Sequence, residues 1–186
     1  MSLLQTMPED SPGTVLLRTE DPEKIGAELA PAGAYFERWR LAPPGETDVL
    51  AAYREQIDQL RRRGGYQLVD VAAIAPDPAD PDWPAKAAAA RAKFLAEHTH
   101  DEDEVRFFAA GRGCFYLHVD HRVLALVCEA GDLLSVPSGT RHWFDMGLAP
   151  RFTAIRFFQR EDGWIGDFTA TGIASAFAGL DELIAQ

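Results

Sequence analysis

Three imidazoles and one carboxylate, His98, His100, Glu104 and His142, constrain this chain more than any other feature. The first three stand within one run, H-T-H-D-E-D-E, and the fourth closes a separate motif, G-D-L-L-S-V-P-S-G-T-R-H, from Gly131 to His142. Alternate side chains of a β-strand face the same way, so His98 and His100 share a face, and Glu104 and Arg106 join them if the strand persists. The fourth group must come from a neighbouring strand, and Val136-Pro137-Ser138-Gly139-Thr140 reads as a turn that re-aims the chain into one. Neutral imidazoles with one carboxylate suit iron, nickel, manganese or zinc better than calcium or magnesium, which prefer all-oxygen shells. Four protein donors on an octahedral ion leave about two positions open, and open positions mean substrate chemistry.

The pattern around these residues divides the chain. From His98 onward, short apolar runs at 105–108, 114–119, 123–127, 133–136 and 152–158 are separated by the turn signals Gly111-Arg112-Gly113, Asp120-His121 and Gly131-Asp132. Strands at this spacing predict a double-sheet jelly roll or small barrel, with the ligands lining its interior. The first half reads as mostly helical. Asp21-Pro22 is an N-cap followed by proline at the first helical position, with Ile25 and Leu29 before Pro31 stops the turn. A longer helix is expected over 48–63, with Val49, Leu50, Tyr53, Ile57 and Leu60 as its apolar stripe and Gly64-Gly65 as its left-handed stop. Pro76, Pro78, Pro81 and Pro84 form a loop, and an alanine-rich helix from Lys86 to near Leu95 delivers the chain to His98. The expected fold class is mainly β with an α-helical N-terminal half. One domain spans 1–186, divided into a helical portion at 1–96, a barrel core at 97–165 and a C-terminal extension at 166–186.

Composition narrows the partners. At 186 residues and 47% hydrophobic content the chain can build a full core without staples. Its net charge of −11 argues against nucleic acid or an anionic membrane surface as partner. The basic run Arg61-Arg62-Arg63 falls at a helix C-terminus, where cations complement the dipole. The N-terminus lacks a basic region followed by a sustained apolar stretch, and no apolar run approaches about 18 residues, so a cytoplasmic location is expected. Cys114 and Cys128 fall in apolar segments that could lie on adjacent strands, and as buried small hydrophobes they need no further role.

Together the two motifs carry a resemblance. His98 to Gly111 fits H-x-H-x3-E-x6-G, and Gly131 to His142 fits G-x5-P-x-G-x2-H, the two signatures of the cupin superfamily. Ala92 stands where the first often has glycine and Met146 where the second often has asparagine; neither position is a ligand. Within the cupins, E-H-T-H-D-E-D-E-V-R-F-F (Glu97 to Phe108), R-H-W-F-D-M-G (Arg141 to Gly147), F-T-A-I-R-F-F (Phe152 to Phe158) and Gly163-Trp164-Ile165 resemble the acireductone dioxygenase family. That resemblance implies a cupin jelly-roll barrel with flanking helices and one divalent metal, Fe(II) or Ni(II). It also implies a methionine-salvage reaction in which dioxygen splits a small acireductone, and a monomer. With iron the family yields formate and 2-keto-4-methylthiobutyrate; with nickel it yields methylthiopropionate, formate and carbon monoxide.

Other residues are candidates for supporting roles. Arg106 has the parity to face the metal, where its guanidinium could bind an enediolate; the duller alternative is an ion pair with a neighbouring carboxylate. Phe94, Phe107, Phe144 and Trp164 could wall in the methylthio tail, although each alone suits a simple core position. Glu97, Glu102 and Asp103 flank the ligands and could hold imidazole N–H groups, or be solvated loop charges. His118 reads as a structural residue inside a strand and His121 as a surface residue in a hairpin turn. Two rivals remain open: another cupin oxygenase or metal-dependent isomerase with the same ligands, and a non-catalytic cupin that binds a small ligand. The full ligand set argues against the second.

Overall fold

The computed structural model describes every residue except Pro44, Glu46 and Trp164. Among the described residues eleven strands join into one hydrogen-bonded set. In chain order they are β1 (Leu3–Pro8), β2 (Leu17–Thr19), β3 (Tyr35–Arg38), β4 (Leu68–Ile74), β5 (His98–Thr99), β6 (Glu104–Val119), β7 (Arg122–Glu129), β8 (Asp132–Val136), β9 (Arg141–Asp145), β10 (Phe152–Phe158) and β11 (Asp167–Phe168). The helices are α1 (Pro22–Leu29), α2 (Val49–Ala52), α3 (Arg54–Gly64), α4 (Trp83–Ala92) and α5 (Leu180–Ala185).

The first half is not the helical unit expected from sequence. Four of the strands lie in it. β1 fills the place between β2 and β7 and is buried from Leu3 to Met7, so it lacks the polar–apolar alternation that would have marked it. β4 pairs with β10 along its whole length, from Phe152↔Ile74 to Phe158↔Leu68. Of the expected helices, α1 keeps its Asp21 cap, whose Oδ1 accepts from the Glu23 N–H at 3.0 Å, and it buries Ile25 and Leu29. The helix expected over 48–63 divides at Tyr53 (φ −114°, ψ 21°). There the phenol turns inward, meets Phe107 edge-on at 4.6 Å and accepts a hydrogen bond from the Ala42 N–H. Gly65 closes α3 at φ 69°, after the three arginines of its last turn and Gly64. The alanine-rich helix starts earlier than expected, at Trp83, and ends at Ala92.

β6 organises the sheet. Residues 104–107 pair with β8 and 105–111 with β10, whereas 112–119 pair with β7 and 114–118 with β9. Gly111-Arg112-Gly113, expected as a turn, lies inside this continuous strand. The glycine at 111 has another cause: its φ is 70°, and a Cβ there would stand 2.0 Å from the Arg151 carbonyl oxygen. The register against β10 slips beside it, pairing Phe108 with Ala154 but Ala110 with Thr153, which leaves Ala109 as the extra residue of a bulge.

Three apolar clusters result. One, with Phe108, Phe115, Leu117, Leu126 and Leu134, is closed by Ile25 and Leu29 of α1. A second joins Val105, Phe107, Ile155 and Phe157 to Tyr53, Ile57 and Leu60 of the α2–α3 region. A third joins Tyr116 and Trp143 to Phe177, Leu180 and Leu183 at the C-terminal end, with the Tyr116 and Trp143 rings stacked at 4.9 Å. Cys114 and Cys128 are buried free thiols on neighbouring strands, one register apart (Cys114↔Val127, Gly113↔Cys128), and burial pushes both pKa values up.

Asp145 ties the third cluster together. Its carboxylate accepts from Arg91 Nε at 2.6 Å and Nη2 at 2.9 Å and from the N–H groups of Gly147 and Leu180 at 2.9 Å each. Burial works against the charged form, but these donors outweigh it and hold the carboxyl below its ordinary range. A group with a depressed folded pKa stabilises above its unfolded value, about 3.9 for Asp, and that contribution is lost as the pH falls through the folded value. Asp145→Ala should therefore cost about 3–5 kcal/mol in urea unfolding at pH 7, because it strands a partly buried guanidinium. The difference from the unaltered protein should narrow below about pH 4.

Candidate metal centre

Strand pairing assembles the four sequence-predicted ligands. β5 contributes His98, which stands directly opposite His142 of β9, and β9 in turn places His142 opposite Leu117 of β6. Glu104 opens β6. The strand does not persist from His98 to Glu104, as the parity argument supposed; β5 ends at Thr99, and a bend over 101–102 carries the chain across to β6. The ligand atoms of His98, His100, Glu104 and His142 nevertheless lie within 4.8 Å of one another. All three histidines are buried and Glu104 is nearly so.

Hydrogen bonding fixes which nitrogen is offered. The Nδ1 atoms of His98, His100 and His142 each lie 2.8 Å from a backbone carbonyl, of Ala96, Ile165 and Thr140 respectively. A carbonyl only accepts, so each Nδ1 carries the proton and each Nε2 turns a lone pair inward. The Nε2 atoms of His100 and His142 stand 3.0 and 2.9 Å from Glu104 Oε2. Lone pairs and a carboxylate held that close require a cation among them, either protons on the rings or a metal. This donor set fits a first-row divalent ion.

The electrostatics agree. Burial of Glu104 favours its neutral form, yet Arg106, His100 and His142 outweigh that and hold its carboxyl well below the usual value. Burial lowers the His98 pKa, so that ring is poised to be a neutral donor. Burial also opposes charge on His100, but its contact with Glu104 prevails and raises its pKa.

Arg106 makes the ion pair weighed from sequence and also faces the cleft. Its Nη2 is 3.0 Å from Glu104 Oε1 and its Nη1 donates to the Val105 carbonyl, while the guanidinium also lines the cleft onto which His98, His100 and Glu104 open. That cleft has a cavity volume of about 100 Å³ and an apolar wall formed by Phe94, Phe108, Phe115, Phe144, Met146 and Phe152. Phe94 and Phe144 are thus where sequence put them. Phe107 is not: it is fully buried on the opposite face of β6, stacked on Trp39 at 4.5 Å. The parity that turns Arg106 inward turns Phe107 out and Phe108 in, so the pattern already held the right residue. Trp164 lies outside the described residues.

The acidic neighbours do not hold the ligand imidazoles. Glu97 accepts from His118 Nδ1 at 2.5 Å and from the hydroxyls of Thr169 and Thr171. His118 reaches Glu9 through its other nitrogen, and Glu9 meets the exposed His121. Those two histidines keep the structural and surface roles expected of them. Glu102 is buried and accepts from the N–H groups of Gln159 and Arg160, steadying the chain ahead of the Ile165 carbonyl that holds His100. Asp103 accepts from the Ser138 N–H at 3.0 Å and so braces the turn before His142. Backbone carbonyls, to which residue type gives no clue, do the work assigned to these acids.

Comparison with known proteins bears on this arrangement. A model of the ARD/ARD′ family matches residues 5–166. The chain belongs to that family. "Acireductone dioxygenase 1" of Nocardia farcinica is 58% identical over 99% of this chain and 100% of its own length. "Acireductone dioxygenase" of Saccharopolyspora erythraea is 55% identical over the whole of both. Among solved structures, an acireductone dioxygenase from Bacillus anthracis with a cadmium ion in its active centre superposes with a TM-score of 0.76 at 28% identity, covering 90% of this chain and 98% of that one. This ARD/ARD′ family chain is therefore mostly β, with a cupin-type fold.

Proposed function

We propose that this chain is a metal-dependent acireductone dioxygenase of methionine salvage, with His98, His100, Glu104 and His142 as the ligands of one Fe(II) or Ni(II). The observation that carries the reading is the convergence of three Nε2 lone pairs and one carboxylate, of which His98, His100 and Glu104 line an apolar cleft whose wall also carries Arg106. Family membership and the full-length relatives named for this activity support it. When bound, the metal supplies a Lewis-acid centre and a template for the oxygens of the substrate.

The chain's own residues do the rest. The carbonyls of Ala96, Ile165 and Thr140 keep each ring in the Nδ1–H tautomer, so the donor set is preorganised. Arg106, anchored by Glu104, presents a fixed positive charge to the oxygens of an enediolate, and that charge gains most when negative charge grows there. Phe94, Phe144 and Met146 receive the methylthio end and exclude water, which strengthens the electrostatics of the polar end. The whole of 1–186 works as one cupin jelly-roll domain, as a cytoplasmic monomer with neither nucleic acid nor membrane as partner. The net charge of −11 disfavours the nucleic-acid and anionic-membrane partners.

Product choice should follow the metal with no change in sequence, since one rigid ligand set serves both ions. The test is to reconstitute the metal-free protein separately with Fe(II) and Ni(II), supply acireductone and dioxygen, and assay carbon monoxide and the 2-keto acid. Carbon monoxide is expected with nickel alone. Identical products from both forms would remove the metal-dependent branching, and no dioxygen uptake in either would remove the dioxygenase reading itself.

A further inference from the structure

Gly113 stands on the inner face of β6, because Phe115, two residues further along the strand, lines the metal cleft and alternate residues of a strand share a face. Phe144 of β9 pairs with Phe115 in register and lines the same cleft. Its ring lies where a side chain at 113 would be: a Cβ there would stand 2.3 Å from Phe144 Cζ and 2.5 Å from Cε2. Unlike Gly111, Gly113 does not have a positive φ. Backbone conformation therefore does not call for glycine at 113; the ring does.

Three other rings hem Phe144 in. Phe115 lies 4.7 Å from it between centroids, Phe152 meets it at 5.8 Å and 86°, and Phe108 is 6.5 Å away. Its backbone is held as well, since its N–H donates to the Phe94 carbonyl at 2.9 Å. An added Cβ at 113 would need about 3.5–4.0 Å from the ring carbons, which pushes the ring by more than about 1 Å. With the other rings packed around it, the ring yields toward the cleft. The cavity there is only about 100 Å³, so the shift removes a large share of the space.

We propose that Gly113 sets the length of the tail that the metal cleft accepts, by letting Phe144 lie back against β6. That the natural tail ends in a methylthio group rests on the function proposed above; the depth of the cleft is a property of the packing.

The experiment uses nickel-loaded full-length protein and two probes, acetohydroxamic and hexanohydroxamic acid, which share one metal-binding head and differ only in tail length. Affinities are read from titrations of the visible absorbance. The unaltered protein should bind the longer probe at least about tenfold more tightly, since each methylene taken from water is worth about fourfold. Gly113→Ala should weaken hexanohydroxamic acid about tenfold and leave acetohydroxamic acid within about twofold. Adding Phe144→Leu to that variant should restore most of the loss, because leucine lacks the ring atoms that the new Cβ meets; damage to folding or to the metal would not be repaired in this way. In dioxygen uptake, Gly113→Ala should raise KM for acireductone about tenfold with little change in kcat, the mark of lost uniform binding. An acireductone with a methyl group in place of the methylthioethyl tail should be turned over as before.

Should Gly113→Ala alone fail to fold, Phe144→Leu and the double variant decide instead. Along a series of straight-chain hydroxamic acids, the double variant should stop gaining affinity about one methylene sooner than Phe144→Leu, because the added methyl fills that space. Equal effects of Gly113→Ala on both probes would overturn the proposal, as would one length limit shared by Phe144→Leu and the double variant. So would equal affinity of the unaltered protein for the two probes. If the unaltered protein failed to turn over acireductone, the functional reading would fall, while the hydroxamate affinities would still decide the part of Gly113.

Discussion

Replacing His142 by alanine should strip the protein of its metal and abolish turnover. His142 is the ring on which the centre depends from two sides: its strand lies between β5 and β6, and its Nε2 stands 2.9 Å from Glu104 Oε2. Residues that merely orient a ligand typically cost about 10–100-fold in metal affinity when changed, and loss of a ligand should exceed that. The substitution deletes a buried imidazole without touching the backbone bonds that join β9 to its neighbours, so the far-ultraviolet circular dichroism should be retained. Metal analysis after dialysis against a weak chelator, together with dioxygen uptake, gives the measurement. A His142→Ala protein that kept full metal content and turnover would refute the ligand assignment.

Arg106→Ala should do something different: keep the metal and lose the chemistry, with kcat/KM down about 10²–10³-fold, the usual loss on removing one preorganised stabilising donor. Arg106→Lys should not restore it. One planar guanidinium here meets Glu104, the Val105 carbonyl and the Phe158 ring together, and a point charge on a flexible stem does not reproduce that. A second effect follows from the ion pair. Arg106 is the foremost influence opposing the effect of burial on the Glu104 carboxyl, so without it that pKa rises and metal loading, which needs the carboxylate, shifts to higher pH. Measuring nickel content against pH separates the two effects. Normal kcat/KM with normal loading would leave Arg106 only the ion pair with Glu104.

The four clustered donors were legible in sequence because donor type is written in the side chain and because each stands in a strand or beside one. The tautomers were not legible, since they depend on the carbonyls of Ala96, Ile165 and Thr140, which any residue would supply. Glu97, Glu102 and Asp103 looked like partners of the rings by proximity along the chain, yet each turns to brace a different segment. The strands of the first half escaped notice where both faces are covered, as in β1, because period-two alternation appears only when one face meets water. Gly113 escaped for the opposite reason: beside Gly111 it fits a turn pattern too well, and its contact with the Phe144 ring exists only once β9 lies against β6.

The bulge at Ala109 decides which side chains of β6 reach the cleft. Counting by twos from Glu104 reaches Arg106 and Phe108, and without an extra residue the same count would reach Tyr116, not Phe115, on the cleft side. The extra residue is a half-turn switch written into the strand, dividing β6 into a polar end that carries Glu104 and Arg106 and an apolar end that carries Phe115, with one interior shared between them. A conservative change at Ala109 itself keeps the strand count on either side of the bulge. Losing or gaining one residue there would exchange inner and outer faces over the rest of β6, sending His118 toward the core and Phe115 outward. The residue count in this segment therefore decides which side chains of β6 face the cleft.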